Sequence, residues 1–593
     1  MPSLASRVRM LCLVVLLTAA VPPAAAQQAG ELRAVHRAGQ TLLTWTEVPA
    51  ARASDEPTVA DVKRLAQDLA RQRIRYRLYR SDKPIRTLDG LECVAEVSPL
   101  SGWNIEYYGD PKPQQKALRY VIEEGKPPLG PNVAVWAHNP ATAGRAWYAV
   151  TACRGDQEDK SLDAANVLRQ PVDETVGLGL PVLQRVEKPK SFNYVDNPTL
   201  HYYVRWEPAS HCGQPGRPYD YLVAIPPRLA KPAAVGIHLH CWGGNLNSGY
   251  GWWYNAEKGA ILLASNQVPY DWWTGYHEKY FQRRRSKETW SDGVVRPYTQ
   301  RRMMAFLDFV ASRWEVDLSR TFAAGSSMGG SGSPMLAIRN GGRIAWAVSW
   351  VGVHVPAHSP HFKGSYAQVY GEPEWGVKFE DGVSAWDHYD DAKYLRSHPR
   401  DEVGLITFSN GKNDSGIGWP QAMEFLRALQ ETHRPFVFVW GQSGHGQRAT
   451  MPVTLGERVM ELDLRTDRSL PAFNGCSLDD DPGDGRPDRG DAKGQINLFL
   501  AWKTDDAVDA DGRWEMTVYL IDKSPRGECT VDVTPRRCQR FKGEPGQAFV
   551  WTNTVDGGQV QTGTALADQW GLVTLKGVKL SRSPCRLAIR RKP

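Results

Sequence analysis

Arg320-Thr-Phe-Ala-Ala-Gly-Ser-Ser-Met-Gly-Gly-Ser-Gly-Ser-Pro334 is the stretch on which the reading of this chain turns. Within it, Gly325-Ser326-Ser327-Met328-Gly329 reads G-x-S-x-G. Thr321–Ala324 is a short apolar strand, and Pro334–Ile338 begins a helical run. A serine on so sharp a strand-to-helix turn holds its hydroxyl clear of a sheet, where it can act as a nucleophile. Such a turn is strained and brings backbone segments close together, so the positions flanking Ser327 must be small. Gly325 and Gly329 satisfy that demand. The backbone N–H of Met328 then faces the place where an oxyanion would develop.

A serine nucleophile needs a base and an acid; the Gly325–Gly329 elbow resembles that of the α/β-hydrolase superfamily, which implies that the acid and then the base follow it in the chain, from loops after late sheet strands. The strand Leu405–Ser409 runs into Asn410-Gly-Lys-Asn-Asp414, and Phe436–Trp440 into Ser443-Gly-His-Gly446. These positions select Asp414 as the acid and His445 as the base. Asp387, Asp390 and Asp391 close no strand. His354 follows the strand after the elbow, His388 precedes the acid strand, and His433 ends a helix. A second oxyanion donor is expected in the loop after the third strand, His240-Cys-Trp-Gly-Gly244, from Trp242 or next from Gly243.

The segment 200–465 resembles the α/β-hydrolase superfamily. Asp317-Leu-Ser-Arg-Thr-Phe-Ala-Ala-Gly-Ser-Ser-Met-Gly-Gly330 is similar to the extracellular polyhydroxybutyrate-depolymerase and feruloyl-esterase group, where Asp-x-x-Arg leads into Gly-x-Ser-Met-Gly-Gly. The resemblance implies a secreted serine carboxylic ester hydrolase acting through an acyl-enzyme on Ser327, with an ester substrate of polymeric or carbohydrate-linked type. Prolyl-oligopeptidase-type peptidases share Gly-x-Ser-x-Gly-Gly, but about 170 residues are too few for the β-propeller that normally precedes their catalytic domain. A binding protein with a decayed site need not keep Ser327, Asp414 and His445 together.

The fold expected is multidomain: a central α/β-hydrolase with a mostly parallel, doubly wound sheet, flanked by all-β sandwich-like domains. Residues 1–26 read as a signal peptide, with Arg7 and Arg9 before the apolar run Met10–Val21 and a small-residue site at Ala24-Ala-Ala26. Residues 30–172 alternate as strands. They resemble a fibronectin type III domain through Trp45, Tyr76–Arg80 and Tyr148–Val150, with a helical insertion over 57–73. Residues 173–467 hold a connector and the hydrolase, and 468–593 an all-β accessory domain. The protein is expected to be secreted, extracellular or periplasmic, with no membrane span.

The net charge is +7 over 593 residues, mild enough that nucleic acid is not an expected partner. No C-x-x-C pair suggests zinc, so neither a metal nor another cofactor is expected. Six aspartates between 479 and 491 miss the helix-loop-helix calcium spacing and read as a polar loop. Of nine cysteines, eight lie beyond the leader. Their parity by segment suggests disulfides Cys93–Cys153 and Cys212–Cys241, plus two among Cys476, Cys529, Cys538 and Cys585. Trp252, Trp253, Trp272 and Trp273 lie in loops that should overhang the sheet edge and are candidates for stacking on substrate.

Overall fold

A computed structural model describes residues 28–105, 112–193, 195–248, 260–446, 451–456, 459 and 462–592. Its organising element is a ten-stranded sheet. The strands are β1 (Val182–Glu187), β2 (Thr199–Glu207), β3 (Arg217–Ile225), β4 (Ala233–Leu239), β5 (Ala260–Ser265), β6 (Val316–Ser326), β7 (Trp346–Trp350), β8 (Leu405–Gly411), β9 (Phe436–Gly441) and β10 (Gly494–Ile496). In space they run β1-β2-β3-β5-β4-β6-β7-β8-β9-β10. From β5 to β9 every pairing is parallel. The antiparallel β1–β3 close one end and β10 the other.

Period-two alternation assigns the two faces. Ile237, Ala323, Ala347, Phe408 and Phe438 point into one core, and Leu262, Phe322, Val348, Leu405 and Val437 into the other. The first is covered by helices α1 (Tyr298–Arg313), α2 (Met328–Arg339) and α3 (Trp419–Glu431), through residues such as Phe306, Met335 and Phe425. The second is covered, among the described residues, by Val453, Leu455, Val459, Leu462 and Leu464 and by Leu470, Phe473, Leu500 and Trp502 of the C-terminal strands. The sheet is therefore mostly parallel, as expected, but one of its layers is made of strands.

Residues 470–591 contain strands and no helix among the described residues. They are not a separate appendage. β10 extends the central sheet, and Arg537, 2% exposed, donates to the carbonyls of Gly341 and Ile344 at 2.8 and 3.1 Å. The acidic loop is held by its own backbone. Asp491 accepts from Asp481 N, Asp480 from Gln495 N, and Asp479 from Asn497 N and Cys476 N.

The N-terminal residues form a three-stranded and a five-stranded sheet around Trp45, Tyr76, Leu78 and Tyr148, beside a two-stranded ribbon of Trp103–Asn104 and Leu118–Arg119. The expected insertion is the helix Val59–Arg71, begun by a capping box between Thr58 and Asp61. This unit joins the edge of the large sheet through Leu42, Tyr120, Val135, Val204 and Trp206.

The disulfides expected from parity are absent: all eight cysteines of the described residues are free. Cys93 lies opposite Tyr79 and Cys153 opposite Arg75, on the two sides of the strand Ile74–Ser81. A strand and four residues of offset separate them, beyond the reach of an S–S bond. Cys212 is buried and donates to Gln214 O at 2.7 Å, while Cys241 is half-buried in the loop after β4. In the C-terminal group, the thiols of Cys476 and Cys529 touch.

Candidate active site

The site sits at the C-terminal edge of the parallel strands. β6 ends at Ser326, and Ser327 adopts φ 56° and ψ −117°, a conformation that costs a non-glycine residue roughly 1–3 kcal/mol. The neighbouring glycines are sterically required. A Cβ on Gly329 would lie 1.8 Å from Leu239 O, and one on Gly325 2.4 Å from the same atom. Ser327 N donates to Trp350 O at 2.8 Å, which fixes the turn against β7. Met328 opens α2, so its N–H is one of those with no acceptor within the helix.

Asp414 and His445 converge on this serine. His445 Nδ1 lies 2.8 Å from Asp414 Oδ2, and His445 Nε2 lies 2.8 Å from Ser327 Oγ. The carboxylate accepts the Nδ1 proton, which leaves Nε2 to accept from the serine hydroxyl. Asp414 is 4% exposed. Burial alone would raise its pKa, but hydrogen bonds from His445, Ile417 N and Gly416 N outweigh it, and the net shift is downward. The carboxylate is thus held ionised beside the imidazole.

The rival residues are engaged elsewhere. His354 is fully buried, stacked on Phe425 and 3.8 Å from Asp391. His388 pairs with Asp381 at 3.0 Å, and Asp390 caps the helix Asp391–Ser397. His433 lies 3.1 Å from Asn474.

The loop after β4 lies beside the elbow because Leu239 pairs with Gly325. A buried network holds it. Gln267 N donates to His240 Nε2 at 3.2 Å, so His240 Nδ1–H points to Cys241 O at 2.8 Å. Trp273 Nε1 donates to His240 O at 3.0 Å, and Asp271 Oδ1 accepts from Trp273 N at 3.0 Å. Asp271 is fully buried, and desolvation pushes its pKa up to about 7 against the hydrogen bond from Thr299. Gly243 is left-handed at φ +74° with open space around it, and the Trp242 ring is 49% exposed.

The expectation for the tryptophans needs correction. Trp252 and Trp253 lie outside the described residues. Trp272 and Trp273 are 0% and 1% exposed and sit in the wall of the site, not on its surface. Trp272 stacks on Tyr366 at 4.4 Å and donates to Ser365 Oγ. The rings that do border the site are Trp242, Tyr270 and Phe362. Trp242 and Tyr270 are 4.7 Å apart, and Phe362 is 6.4 Å from the His445 ring. Phe362 precedes a helix far from both motifs, and nothing in its local sequence marks it.

The Esterase family model matches residues 236–448, a span that contains Ser327, Asp414 and His445. No curated protein matches the chain. Among solved structures, an S-formylglutathione hydrolase from Agrobacterium tumefaciens is similar at 15% identity and a TM-score of 0.32, over 44% of this chain and 93% of its own. A ferulic acid esterase is similar at 14% identity and a TM-score of 0.27, over 42% and 91%. A dipeptidyl aminopeptidase IV from Bacteroides ovatus aligns at 12% identity and a TM-score of 0.34, over 72% and 56%.

Proposed function

We propose that this protein is a secreted serine hydrolase that cleaves carboxylic esters of polymer- or carbohydrate-linked substrates through an acyl-enzyme on Ser327. The observation that carries the reading is the hydrogen-bonded line from Ser327 Oγ through His445 to Asp414, with 2.8 Å at each step. The match of residues 236–448 to the Esterase family supports the same chemistry. Export is proposed on the charged, apolar and small-residue pattern of residues 1–26. For the N-terminal unit we propose a fibronectin type III-like sandwich, supported by its two packed sheets and the Trp45–Tyr76 contact of 5.5 Å.

In this mechanism Ser327 Oγ attacks the ester carbonyl carbon while His445 Nε2 takes the hydroxyl proton. The N–H of Met328 receives the developing oxyanion together with one from Trp242 or Gly243. Asp414 keeps Nδ1 protonated and stabilises the imidazolium. His445 then returns the proton to the leaving alcohol. Water attacks the acyl-enzyme with the same base and frees Ser327. The rings of Trp242, Tyr270 and Phe362 favour a flat, apolar acyl group beside the nucleophile.

The test is hydrolysis of acetyl and aromatic para-nitrophenyl esters by the protein lacking residues 1–26, with fluorophosphonate labelling of Ser327. Turnover with stoichiometric labelling is expected. A folded protein that neither labels nor turns over ester is not a serine esterase.

A second expectation concerns the network behind the oxyanion loop. Asp271→Ala frees Trp273 N, and with it the clamp on His240 O. A misplaced donor should lower kcat on these esters by about 10²-fold with KM little changed. Equal losses from Asp271→Ala in kcat and in the thermal midpoint of folding would instead mark a purely structural role. Asp271→Asn, which keeps the acceptor, should restore most of the rate.

A further inference from the structure

Two buried sulfurs in the C-terminal strands meet, and neither serves the site at Ser327. Cys476 and Cys529 are each 6% exposed, and the Cys476 thiol donates to the Cys529 sulfur. Both are free thiols in the structure. Strand pairing brings them together. Leu470–Asn474 runs antiparallel to Glu528–Arg536, from Leu470 opposite Arg536 to Asn474 opposite Asp532. Beyond that last pair the two segments stay joined. Ser477 N donates to Thr530 O at 2.9 Å, and Thr530 N donates to Ser477 Oγ at 3.0 Å. Cys476 immediately precedes Ser477, and Cys529 immediately precedes Thr530. Neighbours across an antiparallel pair have Cα atoms about 5 Å apart, a separation that an S–S bond spans.

The other thiols do not share this geometry. Cys93 and Cys153 are held apart by the strand between them. Cys538 donates to Arg536 O at 3.8 Å, and Cys585 to Ser583 O at 3.4 Å. Cys212 donates to Gln214 O at 2.7 Å.

What lies between Cys476 and Cys529 gives the pair a role. Residues 477–528 include the acidic loop, β10 at the edge of the central sheet, and Leu498, Leu500 and Trp502 of its second core. The Asp479 carboxylate joins Cys476 to this stretch, accepting from Cys476 N at 3.1 Å and from Asn497 N at 2.9 Å. A bond between the two sulfurs closes a loop of about 50 residues and removes much of its freedom in the unfolded chain.

We propose that Cys476 and Cys529 are a modification site: they close to an intrachain disulfide as the chain folds in an oxidising compartment, and the bond clamps the β10 segment to the C-terminal strands. The compartment rests on the export reading above, whereas the pairing does not. The oxidant is a small disulfide such as glutathione disulfide. The Cys529 thiolate attacks one of its sulfurs, which forms a mixed disulfide and expels a thiolate. The Cys476 thiolate then attacks the Cys529 sulfur and expels the second. Two electrons pass to the oxidant, and the two cysteine protons end on the two thiols released. Both sulfurs are shielded once the strands have closed, so the exchange precedes that closure.

The protein lacking residues 1–26 is refolded in a glutathione redox buffer, and its remaining thiols are blocked with N-ethylmaleimide in urea. Tryptic peptides are then mapped by mass spectrometry with and without reduction. Trypsin places the two cysteines in separate peptides, 469–489 and 527–536, each with no other cysteine. These should appear as one linked species, lighter by two hydrogens than their sum, which reduction separates. The linked protein should melt about 5 °C above the same protein refolded in excess dithiothreitol. The double variant Cys476→Ala, Cys529→Ala should melt with the reduced form in either buffer. Both peptides blocked and unlinked after oxidative refolding, or either one joined to a different cysteine, overturns the pairing. A linked protein that melts no higher than the reduced one overturns the clamp.

Discussion

Ser327→Ala should lower kcat on a para-nitrophenyl ester by about 10⁵-fold, and His445→Ala by a similar factor. In the proposed mechanism the two residues act in one proton transfer, across the 2.8 Å contact of His445 Nε2 with Ser327 Oγ. Removing either leaves no activated nucleophile. The double variant should therefore be no worse than the single ones. Asp414→Ala should cost less, about 10⁴-fold, because the carboxylate touches neither the carbonyl nor the attacking oxygen. It orients the ring and stabilises its charge, while the Met328 N–H is left in place. Steady-state rates on enzyme counted by active-site titration of the wild type, with circular dichroism to verify folding, decide the matter. A Ser327→Ala variant that keeps more than about 1% of the wild-type kcat would place the nucleophile elsewhere.

The legibility of this site in the sequence follows from its sterics. With β4 and β6 adjacent, the elbow cannot close unless Gly325 and Gly329 lack side chains, since each would place a Cβ within 2.4 Å of Leu239 O. The chemistry therefore leaves a pattern of glycines that survives in one dimension. Asp414 and His445 were readable for a related reason: each follows a continuous apolar strand, and strand ends on one edge of a parallel sheet meet.

The wall tryptophans were not readable. Trp272 and Trp273 both take positive φ, 60° and 62°, in a turn held by Asp271. That turn sends both rings inward against Tyr366 and His240. A run of aromatics in a loop has no period that says which way it faces. The cysteines failed similarly, because parity counts partners without knowing register. Cys93 and Cys153 share a neighbouring strand but meet it at Tyr79 and Arg75. The C-terminal strands were legible as strands from their alternation, yet alternation does not reveal what their inner face covers. That face turned out to be the central sheet itself.

Removing residues 468–593 should consequently abolish soluble expression of the remainder, although the segment contains none of Ser327, Asp414 and His445. Truncation strips β10 from β9 and leaves an unpaired parallel-sheet edge. It also uncovers Leu405 and Val437, which border Pro471, Phe473, Leu500 and Trp502 and are at most 6% exposed in the intact chain. The loop that carries Asp414 loses a support as well. Lys412, two residues before Asp414 and 1% exposed, donates its ammonium to Arg489 O, and Trp440 Nε1 donates to Asp491 O at 2.9 Å. A finer probe is Arg537→Ala. The Arg537 guanidinium meets Gly341 O, Ile344 O and Arg465 O within 3.2 Å. Its main-chain N–H donates to Glu402 at 2.8 Å. Loss of that side chain orphans buried carbonyls and should cost about 3–5 kcal/mol. Equilibrium urea denaturation should read this as a lower midpoint, with kcat at 25 °C little changed because the residue is remote from Ser327. A soluble 27–467 fragment with wild-type kcat and thermal midpoint would refute this integral role. The strands would then be an accessory domain in the ordinary sense, and the shared core would contribute nothing that the hydrolase needs.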